Sequence, residues 1–163
     1  MKIRTGIGYD VHKLAEGRPL TLGGIEIRHT KGSLGHSDGD VLIHAVCDAL
    51  LGAANLRDIG FHFPDTSEKY KGIDSKILLK NVMKLVREKG FEIGNIDSTI
   101  VLQKPKIKDY IPEMKKILAE TMQISDEDIS VKATTTEKLG FAGREEGIAA
   151  YATVLIVKNQ PYR

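Results

Sequence analysis

Segments with the patterns of strands and helices alternate along this chain, and this alternation limits the fold more than any other feature. Short β-branched runs predict strands at residues 2–9, 20–22, 25–27, 92–103, 129–134 and 148–157, and apolar residues three and four apart predict helices at 41–56, 76–88 and 111–122. Such alternation favours an α/β fold. Neither a Gly-x-Gly-x-x-Gly turn nor a Walker-type lysine loop is present, so no standard nucleotide-binding loop is predicted. The 163 residues suit one domain at 1–158, followed by a polar tail at 159–163.

Glycines and capping residues mark the boundaries of these elements. The pair Gly23-Gly24 predicts a tight turn between the second and third strands. The first helix follows the loop SLGHSDGD, in which Ser37 or Asp38 is available as the N-cap. Asp74 or Ser75 is expected to cap the second helix.

Composition and charge argue against several classes of function. The 24 Lys and Arg residues nearly balance the 22 Asp and Glu residues, so no strong overall field attracts the protein to nucleic acid or to a membrane. Cys47 is the single cysteine, which excludes an intramolecular disulfide, and its apolar surroundings predict a buried structural thiol. The N-terminus is too polar for a signal peptide, and no apolar run reaches the roughly 20 residues of a membrane span. We therefore expect a cytoplasmic protein, with the mature form of an organellar protein as the alternative.

Three residues have the character of metal ligands. Asp10 and His12 lie two apart on a predicted strand, where the period of two points both side chains to one face. His44 lies on the first predicted helix between Asp40 and Asp48, and either carboxylate could orient its ring. One Asp and two His would form a zinc site of the catalytic kind, with a fourth position open to water or a phosphate oxygen. Spacing alone favours the alternative, in which Asp10 and His12 lie two apart by chance and His44 is a buried histidine bonded to a carboxylate.

Two polar loops contain groups that suit phosphates. The run KATTTEKLGFAGR places three hydroxyls and one carboxylate at a strand end, flanked by Lys132 and Arg144, which suits phosphate oxygens and Mg²⁺. His36 lies in the SLGHSDGD loop, where its ring could donate to a phosphate. A solvated turn and an exposed loop histidine are the alternatives. Lys104 and Lys106 of QKPK are cationic but are more typical of a solvated connection.

The stretch after the first helix lacks a regular pattern. Gly60, Pro64 and the run DTSEKYKG break it, which indicates a mobile loop. Asp58 could hold a hydroxyl group, and Asp65 beside a proline suggests a lid, with ordinary turn chemistry as the alternative. His62 has no clear partner and is expected to be structural or exposed.

Taken together, several motifs resemble one known family nearly end to end and in the same order. They are GYDVHKL, GHSDGDVLIHAVCDALLGAANLRDIG, FPDT, DSKILL, QKPK and VKATTTEKLGFAGREEGIAA. The family is the 2-C-methyl-D-erythritol 2,4-cyclodiphosphate synthases. Its substrate is 4-diphosphocytidyl-2-C-methyl-D-erythritol 2-phosphate, whose 2-phosphate attacks the β-phosphorus, closes the ring and expels CMP in the non-mevalonate (MEP) pathway of isoprenoid biosynthesis. The substrate supplies the nucleophile, so the resemblance implies catalysis by positioning and charge neutralisation.

The resemblance also implies roles for particular residues. It implies one Zn²⁺ per subunit held by Asp10, His12 and His44, and Mg²⁺ or Mn²⁺ held by Glu137 with the substrate diphosphate. His36 and Thr135 would stabilise the transition state, the FPDT loop would cover the erythritol portion, and cytidine would lie against residues 102–108 and 134–136. The implied substrate-binding residues are Ser37, Asp58, Ile59, Gly60, Phe63, Pro64, Asp65, Thr66, Ser67, Leu102, Gln103, Lys104, Pro105, Lys106, Ile107, Lys108, Thr134, Thr136, Phe141 and Arg144.

For the fold, the resemblance implies a single domain of the α+β type, with a mixed β-sheet backed by helices in ferredoxin-like layering. It implies a homotrimer with active sites between neighbouring subunits. Phe141 and Arg144 match residues that line a central cavity able to hold an isoprenoid diphosphate. Tyr151 stands where some relatives carry a glutamate, a departure that weakens the case for regulation through this cavity.

Two other functions are compatible with parts of the pattern. A metal-dependent phosphoester hydrolase would use the same ligands but would release inorganic phosphate or a linear product. A trimeric nucleotide-sensing module could bind through the threonine loop, although it gives no reason for Asp10, His12 and His44 together.

Overall fold

The computed structural model describes residues 1–158, which form one mixed α/β unit. Its strands are β1 (Lys2–Glu16), β2 (Leu20–Leu22), β3 (Ile25–Ile27), β4 (Lys31–Leu34), β5 (Glu92–Val101), β6 (Ile129–Thr134) and β7 (Gly147–Lys158). The main sheet has the order β4-β1-β7-β5-β6, in which only β5 and β6 are parallel, and β2 and β3 form a separate hairpin. The predicted tail at 159–163 lies outside the described residues.

The helices are α1 (Val41–Ala53), α2 (Ile59–His62), α3 (Ser75–Glu88), α4 (Ile111–Met122) and α5 (Gly140–Gly143), with 3₁₀ turns at Glu68–Tyr70, Lys108–Tyr110 and Asp126–Asp128. The predicted hairpin, α3 with its cap Asp74, α4 and β6 are confirmed. None of the helices within residues 1–158 is long and apolar enough to cross a membrane.

Several local features differ from the predictions. The first strand does not end near residue 9 but continues to Glu16, because it pairs with β7 and then with β4, a strand that the polar sequence KGSL did not reveal. Asp10 and His12 therefore lie within a strand rather than at its end. The N-cap of α1 is Asp40, not Ser37 or Asp38, since its carboxylate accepts the Ile43 N–H at 3.0 Å.

The segment between α1 and α3 is also more regular than its sequence indicates, because α2 and a 3₁₀ turn lie within it. Asp58 starts α2 by accepting the Phe61 N–H at 3.1 Å. His62 is held by the Leu56 carbonyl oxygen, 2.7 Å from its Nε2, which agrees with a structural role. The mobility of this segment stays a prediction.

Helix α1 is the centre of the core. Ten of its 13 residues are buried, among them Cys47, which confirms the prediction of a structural thiol. Burial raises the pKa of this thiol well above its usual value. The helix packs on β1 and β7, while α3 packs against it from another side.

Two glycines allow α1 to lie directly on β1. A Cβ on Gly6 would stand 2.0 Å from the carbonyl oxygen of Ala49, and one on Gly8 would stand 1.9 Å from that of Ala45, so no side chain fits at either position. Residues two apart on a strand share a face. The glycines therefore bring the next two polar residues on this face, at positions 10 and 12, up against α1.

The opposite face of β1 and β7 exposes large apolar side chains. Those of Ile3, Ile7, Tyr9, Val11 and Tyr151 are between 44% and 71% exposed. The rings of Tyr9 and Tyr151 lie on neighbouring strands with centroids 4.8 Å apart. Soluble monomers seldom expose a contiguous apolar patch, so this face has the character of a contact surface.

Candidate active site

Asp10, His12 and His44 converge where β1 lies against α1. Asp10 Oδ2 is 2.9 Å from His12 Nε2 and 3.0 Å from His44 Nδ1, and the two ring nitrogens are 3.1 Å apart. The side chains are 28%, 15% and 12% exposed, respectively, so the cluster is largely buried but accessible. The structure thus brings the three predicted ligands together as a group that could hold a metal ion.

This donor set fits a zinc ion. Ligands about 2.1 Å from a tetrahedral zinc lie about 3.4 Å apart, close to the separations in the cluster. His12 Nδ1 is 2.9 Å from the Leu34 carbonyl oxygen, so Nδ1–H donates there and the Nε2 lone pair faces the cluster. Burial raises the pKa of Asp10, but hydrogen bonds with His12 and His44 outweigh burial and the net shift is downward. An ionised carboxylate and two imidazole nitrogens suit this metal.

Two serine hydroxyls, rather than carboxylates, contact the far side of the His44 ring. Its Nε2 lies 2.9 Å from Ser75 Oγ and 3.0 Å from Ser37 Oγ. Ser75 is the first residue of α3 and is fully buried. The sequence around Ser75 predicts only a possible helix cap and gives no signal for this contact.

The prediction that Asp40 or Asp48 orients His44 is wrong. Asp40 is fully buried, and its carboxylate accepts the three backbone N–H groups of Gly23, Gly24 and Ile43. Burial raises the pKa of Asp40, while these N–H groups oppose the shift. Asp48 accepts the Ile59 N–H at 2.7 Å, where α2 begins. Both carboxylates satisfy donors that a turn or a helix start leaves unpaired, which spacing along one helix does not reveal.

The cluster opens into a cleft of about 340 Å³. The cleft is lined by Asp10, His12, His36, Ser37, His44, Ile59, Gly60, Phe63, Asp65, Tyr70, Ile73 and Leu78. Tyr70, Ile73 and Leu78 were not predicted, because only the folding of the segment before α3 over the cluster places them here. His36 Nε2 lies 3.0 Å from the Ser67 carbonyl oxygen, which connects the SLGHSDGD loop to this segment. Asp58, Pro64, Thr66 and Ser67 flank the lining residues in the chain.

A second cleft, of about 550 Å³, contains most of the predicted cytidine-binding residues. Its lining is Leu102, Pro105, Lys106, Ile107, Lys108, Ala133, Thr134 and Thr135. Glu137 lies beside it, and its Oε1 accepts the hydroxyl of Thr135 at 3.2 Å. Gln103 Oε1 accepts the Lys138 N–H at 3.3 Å, which ties the QKPK loop to the threonine loop.

Within the described chain, the two clefts share no lining residue. The metal-type cluster and the Thr135–Glu137 pair therefore lie at different clefts. Phe141 of α5 and Arg144 line neither cleft; Phe141 is 39% exposed, and Arg144 pairs with Glu146 at 3.0 Å.

Known proteins match this chain over a length that includes both clefts. The sequence model of the YgbB family matches residues 3–157. A protein of Parabacteroides distasonis named 2-C-methyl-D-erythritol 2,4-cyclodiphosphate synthase is 69% identical over 156 residues, which are 96% of this chain and 97% of that protein. A protein of Cytophaga hutchinsonii with the same name is 61% identical over 158 residues, 97% of this chain and 99% of that protein.

Solved structures give the same result for the fold. The bifunctional IspDF of Campylobacter jejuni matches 98% of this chain with a TM-score of 0.94 and 49% identity, and this chain spans 43% of that protein. IspF of Plasmodium falciparum, solved as a CDP complex, matches 96% of this chain and 97% of its own length with a TM-score of 0.84 and 38% identity.

Proposed function

This chain belongs to the YgbB family, and from this premise we propose that it converts 4-diphosphocytidyl-2-C-methyl-D-erythritol 2-phosphate into 2-C-methyl-D-erythritol 2,4-cyclodiphosphate and CMP. It is an enzyme, a phosphorus–oxygen lyase of the MEP pathway of isoprenoid biosynthesis, in line with the cyclodiphosphate synthases that match it, one of them at 69% identity over 96% of this chain. The observation that carries this proposal is the cluster of Asp10, His12 and His44 opening into a cleft within the matched length.

In this reaction the substrate's own 2-phosphate attacks the β-phosphorus, and CMP leaves. Catalysis then depends on holding the two phosphates in line and on neutralising charge. Zinc held by Asp10, His12 and His44 would bind a diphosphate oxygen and polarise the phosphorus under attack. His36, at the mouth of the same cleft, is proposed to donate to the developing charge, and one such donor is worth about 10²–10³ in rate.

The rest of the substrate is proposed to lie in both clefts. In the first cleft, Asp58 and Gly60 would receive the erythritol hydroxyls, and residues 63–67 would cover them. In the second, residues 102–108 and 134–136 would hold the cytidine diphosphate, with Glu137 binding Mg²⁺ or Mn²⁺ between phosphates and Thr135 stabilising the transition state. The CDP complex of the Plasmodium falciparum protein supports a cytidine diphosphate ligand for a fold of this kind.

The separation of the two clefts supports a homotrimer. One substrate must contact both sets of residues, yet they form distinct surfaces on one copy, so a neighbouring copy is proposed to bring its threonine loop to the metal cluster. The exposed apolar face of β1 and β7 would be buried in this assembly.

Phe141 and Arg144 would line a central cavity for an isoprenoid diphosphate, and Tyr151 in place of a glutamate argues against regulation there. We place the protein in the cytoplasm.

The test is incubation of the purified protein with the cytidine diphosphate substrate, Zn²⁺ and Mg²⁺, followed by phosphorus NMR. We expect a cyclic diphosphate together with CMP, both abolished by a chelator. CMP with a linear phosphate product would instead identify a hydrolase. Absence of turnover with the metal-loaded protein would favour a nucleotide-binding module.

A further inference from the structure

A carboxylate and a hydroxyl are connected to the outer side of the His44 ring. Ser75 Oγ lies 2.9 Å from His44 Nε2, and the same oxygen lies 2.5 Å from Asp38 Oδ1. Asp38 Oδ2 also accepts the Ser75 backbone N–H at 2.9 Å, so the carboxylate holds this residue at two points. Asp38, Ser75 and His44 therefore form a continuous chain of hydrogen bonds that ends at a proposed metal ligand.

The direction of these bonds follows from what each group can donate. Both oxygens of the Asp38 carboxylate accept from Ser75, one from its backbone N–H and one from its hydroxyl, so the single hydroxyl hydrogen of Ser75 points to Asp38. Ser75 Oγ can then only accept from His44, which requires a proton on Nε2 and leaves the lone pair of Nδ1 facing Asp10 and His12. Ser37 Oγ also lies 3.0 Å from Nε2, but among residues 1–158 no carboxylate is bonded to it, so the direction of its hydroxyl is not determined.

We propose that Ser75 and Asp38 are positioning residues of the metal site, which hold the His44 ring with Nδ1 directed at the metal. This inference rests on the proposed metal role of Asp10, His12 and His44. Partners of this kind fix the orientation of a ligating imidazole and raise its basicity, and their loss typically weakens metal binding 10–100-fold. Helix capping alone does not explain the arrangement, because Asp74 already caps α3 through the Lys76 N–H.

The experiment measures the dissociation constant of zinc alone, by competition with a chromophoric chelator, in the full-length protein. Ser75→Ala removes the hydroxyl, and Asp38→Asn keeps the shape of the carboxylate but can donate to Ser75 Oγ and release its hydrogen from this direction. Each change should weaken zinc binding 10–100-fold. The double variant should bind zinc about as weakly as the single variant with the lower zinc affinity, because both changes break the same chain of hydrogen bonds.

Ser98→Ala is the matched control, since Ser98 is also a buried serine but its hydroxyl donates to the Ser130 carbonyl oxygen within the sheet. It should leave zinc affinity unchanged while shifting the melting temperature to a degree comparable with Ser75→Ala. If Ser75→Ala does not fold, Asp38→Asn is the second variant, and its zinc affinity is compared with its melting temperature because Asp38 Oδ1 also accepts the Asp40 N–H at 3.1 Å.

The outcomes separate this inference from the function on which it rests. Tight stoichiometric zinc in the wild type with unchanged affinity in Ser75→Ala or Asp38→Asn would overturn the positioning role and leave the metal site intact. Additive losses in the double variant would also overturn it, since they indicate two unrelated effects. A wild-type protein without a stoichiometric zinc site would remove both the proposed metal site and this inference.

Discussion

Replacing Asp40 by alanine should destabilise the protein severely and loosen the metal site. Asp40 is 0% exposed; its Oδ1 accepts the N–H groups of Gly23 and Ile43 at 3.0 Å each, and its Oδ2 accepts that of Gly24 at 2.7 Å. Alanine leaves all three donors without their partner. Those of Gly23 and Ile43 are buried, where an unsatisfied donor costs about 1–3 kcal/mol, whereas Gly24 is partly exposed and can be solvated. We therefore expect a loss of about 2–6 kcal/mol, a large part of a typical domain's stability.

Asp40→Asn separates the loss of the bond to Oδ2 from the loss of the two bonds to Oδ1. The amide keeps one carbonyl oxygen for the two donors that Oδ1 now serves, but its NH₂ group faces the Gly24 N–H. One bond is lost rather than three, and the Gly24 N–H that loses it can be solvated, so a smaller loss of about 0.5–1.5 kcal/mol is expected. Asp74→Ala is the control, because Asp74 caps α3 in the same way but its side chain is 44% exposed, and an exposed cap is worth about 1 kcal/mol.

Urea unfolding at one fixed protein concentration, followed by circular dichroism, measures all three free energies. Zinc affinity is the second measurement, since the His44 N–H bonds to the Asp40 carbonyl oxygen at 3.1 Å and follows any shift in the start of α1. An alanine variant within about 1 kcal/mol of the wild type would contradict this expectation, because it would mean that the buried donors find other partners.

Four further predictions follow from the same structure. His44→Ala should lose stoichiometric zinc while staying folded and keeping the oligomeric state of the wild type, measured by metal analysis and sedimentation; full zinc occupancy would contradict its proposed role as a ligand. Glu137→Gln should keep zinc but need much more Mg²⁺ for turnover, because a neutral amide is a poorer ligand for a hard cation; an unchanged Mg²⁺ titration would argue against the assignment. Tyr151→Lys should dissociate the proposed trimer, since the side chain is 47% exposed on the apolar face; sedimentation as an intact trimer would show that this face is not the interface. Burial raises the pKa of Asp74, but hydrogen bonds from Lys76 outweigh burial and the net shift is downward from 3.8. The stabilisation that Asp74 gives is therefore present above pH 3.8 and is lost as the pH falls through the lowered pKa. The difference in unfolding free energy between wild type and Asp74→Ala should therefore shrink toward pH 2.

The sequence predicted well what depends on local pattern. The Gly23-Gly24 turn, the boundaries of α4 and the cap of α3 follow from backbone conformation and unpaired helix donors, which neighbouring residues determine. The three metal-type ligands were also found, because the period of a strand and one helical histidine could be recognised along the chain. That the three side chains meet at one point could not be derived from their spacing, because such a spacing often arises by chance.

The partners of these residues depend on how the whole chain packs. The glycines of β1 allow α1 to approach closely enough for His44 to contact Asp10, and no local sequence pattern predicts the distance between these two elements. Ser75 contacts the His44 ring although it lies 31 positions further along the chain. Asp40 and Asp48, which are close to His44 in sequence, instead accept backbone N–H groups elsewhere. The physical reason is that a buried polar group takes whichever partner the packing brings within about 3 Å, and packing depends on the whole chain.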